Sequence, residues 1–276
     1  MEIKEANTRN LVQEAMNLKP AVPAPIQGKL KDLVQMPQIK DMFRNALADN
    51  SDSFIASVID LYNNDKTLQA CAPNEVLMEA FKAATLKLPI NKQLGFAYIV
   101  PFKDKTGKSV PTFQIGYRGL IQLCIRTGLY RHIHAGPVHD GEFVSENRLT
   151  GEIDLSGVRS SDRVVGFSAY IETINGFNKA SYWTVDEVNT HAKKYSKSFG
   201  YGSGPWVTDY EAMATKTVLR TLLSKYGIMS VEMQNAFVAE YGNAAEEKLA
   251  HITDSNEGKT TPVESTFENQ LPFEAA

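Results

Sequence analysis

Leu94-Gly-Phe-Ala-Tyr-Ile-Val-Pro-Phe102, Asp104-Lys-Thr-Gly107, Val110-Pro-Thr-Phe-Gln-Ile115 and Tyr117-Arg-Gly-Leu-Ile-Gln-Leu-Cys-Ile-Arg-Thr127 follow one another in close order. The first and third runs are rich in aromatic and β-branched residues, and the second is polar and ends in glycine. That sequence of signals predicts strand, turn, strand. The fourth places Leu120, Ile121, Cys124 and Ile125 at helical spacing, and Gly128 closes it. A hairpin that feeds a helix, rather than a strand–helix–strand crossover, points to an α+β fold.

The same pattern extends in both directions. Residues 30–88 are predicted to be helical, with Pro73 in the first turn of a helix running through Leu77, Phe81 and Ala84. Before them, residues 1–19 are expected to form a short amphipathic helix, and Pro20-Ala-Val-Pro-Ala-Pro25 an extended arm. Residues 131–156 alternate and break as short strands would, and residues 164–173 form a clearer strand. Asn175-Gly176 predicts a two-residue hairpin turn into residues 179–183. Thr184-x-x-Glu187 opens a helix to about Ser196, and Thr208-x-x-Glu211 opens another ending near Tyr226-Gly227. A further helix is expected over 230–241. The expected organisation is an arm over 1–29 and one core of antiparallel hairpins packed with helices over 30–242. A disordered acidic tail over 243–276 completes it.

At 276 residues, 43% hydrophobic and 22% charged, the chain can bury a sizeable core without disulfides. Cys71 and Cys124 lie far apart among apolar neighbours, which suits reduced core positions in a cytoplasmic protein. No export signal opens the sequence and no apolar run reaches membrane length. The net charge of −3 is unevenly spread. Residues 243–276 hold seven acids against two lysines, which leaves residues 1–242 at +2. Residues 99–135 carry +5 and residues 190–227 carry +4, so the local potential suits a polyanion although the total does not.

Three segments carry that charge. Arg118, Gln122 and Arg126 fall on one helical stripe, which could hold a row of phosphates or be a solvated face; spacing leaves both open. Lys103, Lys105 and Lys108 crowd the hairpin tip, as DNA-embracing fingers and aggregation-resistant strand ends both do. Lys193, Lys194, Lys197, Phe199 and Trp206 interleave cations with aromatics around a glycine-rich loop, and Lys216 and Arg220 follow one turn apart. Cations neutralise phosphates while aromatic faces stack on bases, the combination single strands require. The bland alternative seats Trp206 in the core and leaves the lysines as surface.

Catalytic signals fail. Gly107-Lys108-Ser109 imitates the end of a P-loop, yet Phe102 stands where its first glycine belongs. Acid-x-Lys triplets occur only near the ends of the chain, at Glu2, Glu246 and Glu257. Gly136-Pro137 is expected to separate His132 and His134 from His139, so no metal site and no cofactor are expected.

In order along the chain, the segments at 94–102 and 114–121, Arg126-Thr-Gly128, Pro205-Trp206 and Met213-Ala-Thr-Lys-Thr217 resemble the RecT family of phage recombinases. The resemblance runs from about residue 33 to 240. It implies single-stranded DNA binding and ATP-independent annealing of complementary strands into new duplex. It also implies assembly into a homo-oligomeric ring or helical filament, and partnership with a phage 5′→3′ exonuclease. By motif position, Gln114, Tyr117, Arg118, Lys216 and Arg220 become the DNA contacts. Two other classes compete: a duplex-specific regulator, for which no helix-turn-helix pattern is present, and a DNA-end nuclease, for which the core lacks clustered carboxylates.

Overall fold

The computed structural model describes residues 28–237 except Lys105, Lys197, Ser198, Tyr201, Ser203, Glu232, Asn235 and Ala236. The arm up to residue 27, the acidic tail, and much of the helix expected over 230–241 lie outside the described residues.

Helices α1 (Leu30–Leu33), α2 (Pro37–Leu47), α3 (Ser51–Asn64), α4 (Lys66–Gln69) and α5 (Pro73–Thr85) open the described chain, with a 3-10 turn at Ala48–Asn50. Pro37 and Pro73 sit in first turns, where their missing N–H groups leave no helical bond unmade. Phe43 is fully buried, edge-on to Phe81 at 5.4 Å and tilted against Phe54 at 5.9 Å, so α2, α3 and α5 close around one ring.

Strands β1 (Ala97–Lys103) and β2 (Ser109–Ile115) form the expected hairpin, in register from Ala97 opposite Ile115 to Lys103 opposite Ser109. Pairing begins at Ala97 rather than Leu94, because the chain is still turning at Gly95, whose φ is +71°. Ala97, Ile99, Phe113 and Ile115 are buried, and α5 packs against both strands. Two acids of α5 hold the hairpin. Glu79 Oε2 accepts the Phe113 N–H at 2.7 Å, and Glu75 Oε1 accepts Lys108 Nζ at 2.6 Å. A side-chain acceptor thus satisfies a donor on the open strand edge.

After α6 (Tyr117–Arg126) come β3 (Tyr130–His139), a side hairpin of β4 (Ser145–Asn147) and β5 (Glu152–Asp154), then β6 (Val164–Thr173) and β7 (Asn178–Thr184). The larger sheet is antiparallel with β6 central. Helices α7 (Val185–Tyr195), α8 (Pro205–Thr208) and α9 (Tyr210–Tyr226) follow, and α9 packs on all three strands of that sheet and on α6. The α+β class is as expected. One cluster of buried apolar residues reaches from Leu30 to Phe237. No described helix is long and apolar enough to cross a membrane.

Three local expectations are corrected. Gly136-Pro137 does not break the chain: β3 runs through it, with Pro137 opposite Phe167. β3 is an edge strand, where proline's missing donor is tolerated. The turn at Asn175-Gly176 has three residues, not two. Gly176 N–H donates to Thr173 O at 3.0 Å, and Thr173 N–H to Phe177 O at 2.8 Å, with Gly176 at φ +87°. This is a type I turn closed by a left-handed glycine. Finally, Thr184 and Glu187 do form a capping box, but Thr208 does not. It ends α8, and α9 starts after Asp209, whose side chain caps nothing.

Candidate nucleic-acid interface

The junction of β2 and α6 is built on close backbone approach. Gly116 N–H donates to Phe96 O at 2.9 Å. A Cβ on Gly116 would lie 2.1 Å from Gly95 O, and one on Gly119 would lie 2.1 Å from Phe96 O. Only glycine lets the first turn of α6 lie against residues 95–96. On the hairpin face turned away from the buried residues, Gln114 stands opposite Tyr98, both half-buried.

Arg118 is exposed beside them. Its Nε donates to the Tyr117 hydroxyl at 3.3 Å, Nη1 reaches Leu94 O at 3.5 Å, and the guanidinium lies 5.8 Å from the centre of the Tyr117 ring. The bond to Tyr117 raises its pKa. Among the described residues no carboxylate pairs with it. Burial, and then the charge of Asp209, raise the pKa of Tyr98. The hydroxyl therefore keeps its proton, and Asp209 brings the start of α9 into this neighbourhood.

Gln122 lies half-buried one turn beyond Arg118. Arg126 has a different setting. Its guanidinium donates to Leu86 O at 2.8 Å and Lys87 O at 2.9 Å, at the end of α5. There Lys87 is left-handed (φ +51°), with Lys87 N–H bonded to Ala84 O and Leu88 N–H to Ala83 O, a closure that leaves carbonyls for an outside donor. Ile125, expected on the packed side, is 54% exposed, and Leu123 is buried instead. Arg126→Ala should lower stability by about 2 kcal/mol, the scale of charge-assisted bonds to partly exposed carbonyls. Urea unfolding measures it. Unchanged stability with weakened DNA binding would return Arg126 to the interface.

At the hairpin tip Lys103 is exposed, Lys108 is held by Glu75, and Lys105 lies outside the described residues. Asp104 Oδ1 accepts the N–H groups of Thr106 and Lys108 at 2.8 and 2.9 Å. Gly107-Lys108-Ser109 therefore joins two strands, whereas a P-loop joins a strand to a helix.

A second group gathers where α7 ends. Lys193 and Lys194 are exposed, and Lys194 Nζ stands 5.1 Å from the Tyr195 ring centre. Tyr195 meets His191 at 4.5 Å, and His191 meets Trp183 at 5.2 Å. Burial, then Lys194 and Arg220, lower the His191 pKa, so the imidazole is neutral at pH 7. Arg220 lies over Phe237 at 5.2 Å, with Lys216 half-buried a turn earlier. Lys197 lies outside the described residues. Trp206 is 6% exposed, edge-on to Phe199 at 5.3 Å and 5.9 Å from Tyr210. Trp206 thus packs into the core between Phe199 and Tyr210.

Helix α9 joins the groups. From Asp209, near Tyr98, to Arg220, near His191, it rises about 16 Å. Neither Tyr98 nor Asp209 stands out as a site residue in the sequence. Strand alternation alone would have set Tyr98 beside Gln114; nothing local marks Asp209. Among the described residues no group of three or more His, Cys, Asp or Glu could hold a metal ion. His139 instead lies against Glu142, whose Oε2 accepts the His139 backbone N–H at 2.6 Å and stands 3.4 Å from its Nδ1.

A model of the RecT family matches residues 52–254. The chain is 44% identical over 239 residues to "Uncharacterized protein YqaK" of Bacillus subtilis (strain 168), which covers 86% of this chain and 81% of that protein. It is 33% identical over 160 residues to "Protein RecT" of Escherichia coli (strain K12), covering 56% of this chain and 58% of that protein.

Proposed function

Because this chain belongs to the RecT family of DNA recombination and strand-annealing proteins, we propose that it binds single-stranded DNA and anneals it to its complement without ATP. The observation that carries this is the exposed Arg118, with which no carboxylate pairs among the described residues, set beside Tyr117, Tyr98 and Gln114 inside the matched segment. A cation neutralises phosphate, and the tyrosines and glutamine offer donors and ring faces with no preference for one sequence. No bond needs to be made or broken. Holding one strand extended with its base edges free leaves base pairing to supply both drive and specificity.

The distance along α9 between the two groups spans at most about five nucleotides, at the roughly 3.4 Å rise of stacked B-form DNA, and fewer when the strand is extended. That is too few to recognise a complement, so the protein acts as a homo-oligomer, a ring or filament, that lines up many such segments. A 5′→3′ exonuclease that exposes the strands is its natural partner. The working site comprises Gln114, Tyr117, Arg118, Lys216 and Arg220, with Lys103, Lys193 and Lys194 at its margins.

Pure protein mixed with complementary oligonucleotides in the presence of Mg²⁺ should yield duplex equally with and without ATP. A strict ATP requirement would overturn the proposal, shortened strands would indicate a DNA-end nuclease, and retention of duplex alone would indicate a regulator.

A further inference from the structure

The tip of the β6–β7 hairpin and the end of α9 form an apolar surface with no cover among the described residues. Ile174 is 55% exposed, Phe177 45%, Tyr226 40% and Ile228 38%. They are neighbours in space. Phe177 and Tyr226 have ring centres 6.5 Å apart. Ile174 N–H donates to Leu129 O at 3.0 Å, and the next residue along, Tyr130, bonds through its hydroxyl to Ile228 O at 3.0 Å. Scattered single apolar residues are ordinary on a surface, whereas a joined group marks a contact. Its rim is basic: Lys179 and Lys225 place their ammonium groups 5.6 and 5.8 Å from the Tyr226 ring centre, and Arg131, paired with Glu172, also bonds Ile174 O.

An apolar centre with a basic rim fits a peptide of apolar anchors set among acids. Residues 264–274, Glu-Ser-Thr-Phe-Glu-Asn-Gln-Leu-Pro-Phe-Glu, have that composition: Phe267, Leu271 and Phe273 lie among Glu264, Glu268 and Glu274. We propose that this segment of the same chain is the occupant of the Ile174–Phe177–Tyr226–Ile228 surface.

Connectivity favours the chain's own segment. The chain leaves α9 through Ile228, and Phe237 folds back against Arg220, which lies about 9 Å along α9 from Tyr226. From Phe237 to Glu264 the chain can extend to roughly 90 Å, far more than the return requires. A tethered peptide also meets its site at an effective concentration of about a millimolar, so a weak contact suffices. The lysine rim makes the contact sensitive to salt. This surface does not include Arg118, Lys193 or Lys194, so the inference stands apart from the DNA-binding proposal.

Full-length protein carrying p-benzoylphenylalanine in place of Phe273 tests it. Irradiation of an equal mixture of isotopically light and heavy chains should join residue 273 to residues 174–179 or 225–228 of its own chain. Lys225→Glu, an exposed change, should reduce that product at least fivefold, and so should 0.5 M NaCl. Attachment near Arg118 or on α7, mixed light–heavy products, or no attachment at all would overturn the proposal. The mapping itself needs no change to the folded surface.

Discussion

Gly119→Ala is expected to destabilise the chain by on the order of 3–4 kcal/mol, the upper range for overpacking a close contact. The new Cβ would stand 2.1 Å from Phe96 O and 2.9 Å from Ile115 Cγ2. A carbonyl fixed in the chain cannot swing aside as a side-chain end does, so α6 must move away from residues 95–96. Moving it strains the Gly116 N–H bond to Phe96 O and uncovers Leu120 and Cys124, both buried. Urea unfolding should show the midpoint falling by about 1 M or more, for slopes of roughly 2–3 kcal/mol per molar. Gly107→Ala at the hairpin tip is the control. A Cβ there meets nothing within 4 Å, although φ is +84°, so the loss should be only about 1 kcal/mol of backbone strain. Equal losses at the two positions would show that close approach is not what Gly119 provides.

Most of the fold was legible because its signals are local. Alternation and a polar turn define β1 and β2, and the reciprocal bonds of Thr184 and Glu187 need only three residues of spacing. Thr208 and Glu211 have the same spacing and no cap, because Pro205 begins a helical turn of its own and Thr208 is consumed in ending it. Pro137 looked like a break because its sequence cannot say that β3 lies at a sheet edge.

The site was less legible, since residues of one kind received different neighbours from afar. Lys108 is held by an acid 33 residues earlier, and Arg126 by carbonyls about 40 residues earlier. Nothing in the stripe of Arg118, Gln122 and Arg126 separates the first, left facing solvent, from the last, tied to the end of α5. Interleaving cations with aromatics likewise does not tell which ring turns inward: Trp206 does, and Tyr195, at 54% exposure, does not.

Arg118→Ala should weaken binding of a single-stranded oligonucleotide by about 10–100-fold at low salt, the loss of one charge-assisted phosphate contact of roughly 1.5–3 kcal/mol. Fold should be unaffected, because the side chain is exposed and its two hydrogen bonds are long, 3.3 and 3.5 Å; surface changes of this kind fall within about 0.5 kcal/mol. The affinity loss should be the same for every sequence, and the slope of log K against log salt should shrink by about 0.7. Arg118→Lys separates charge from shape. It restores the slope, since one counterion is again displaced, yet recovers only part of the affinity, because an ammonium lacks the planar fork that spans Tyr117 and a phosphate together. Tyr117→Phe tests the same point from the other side: without the hydroxyl that Arg118 Nε now uses, affinity falls while the slope stays. If Arg118→Ala keeps both the affinity and the slope of the parent protein while folded, Arg118 touches no phosphate, and the contact surface must lie along α7 and α9 instead.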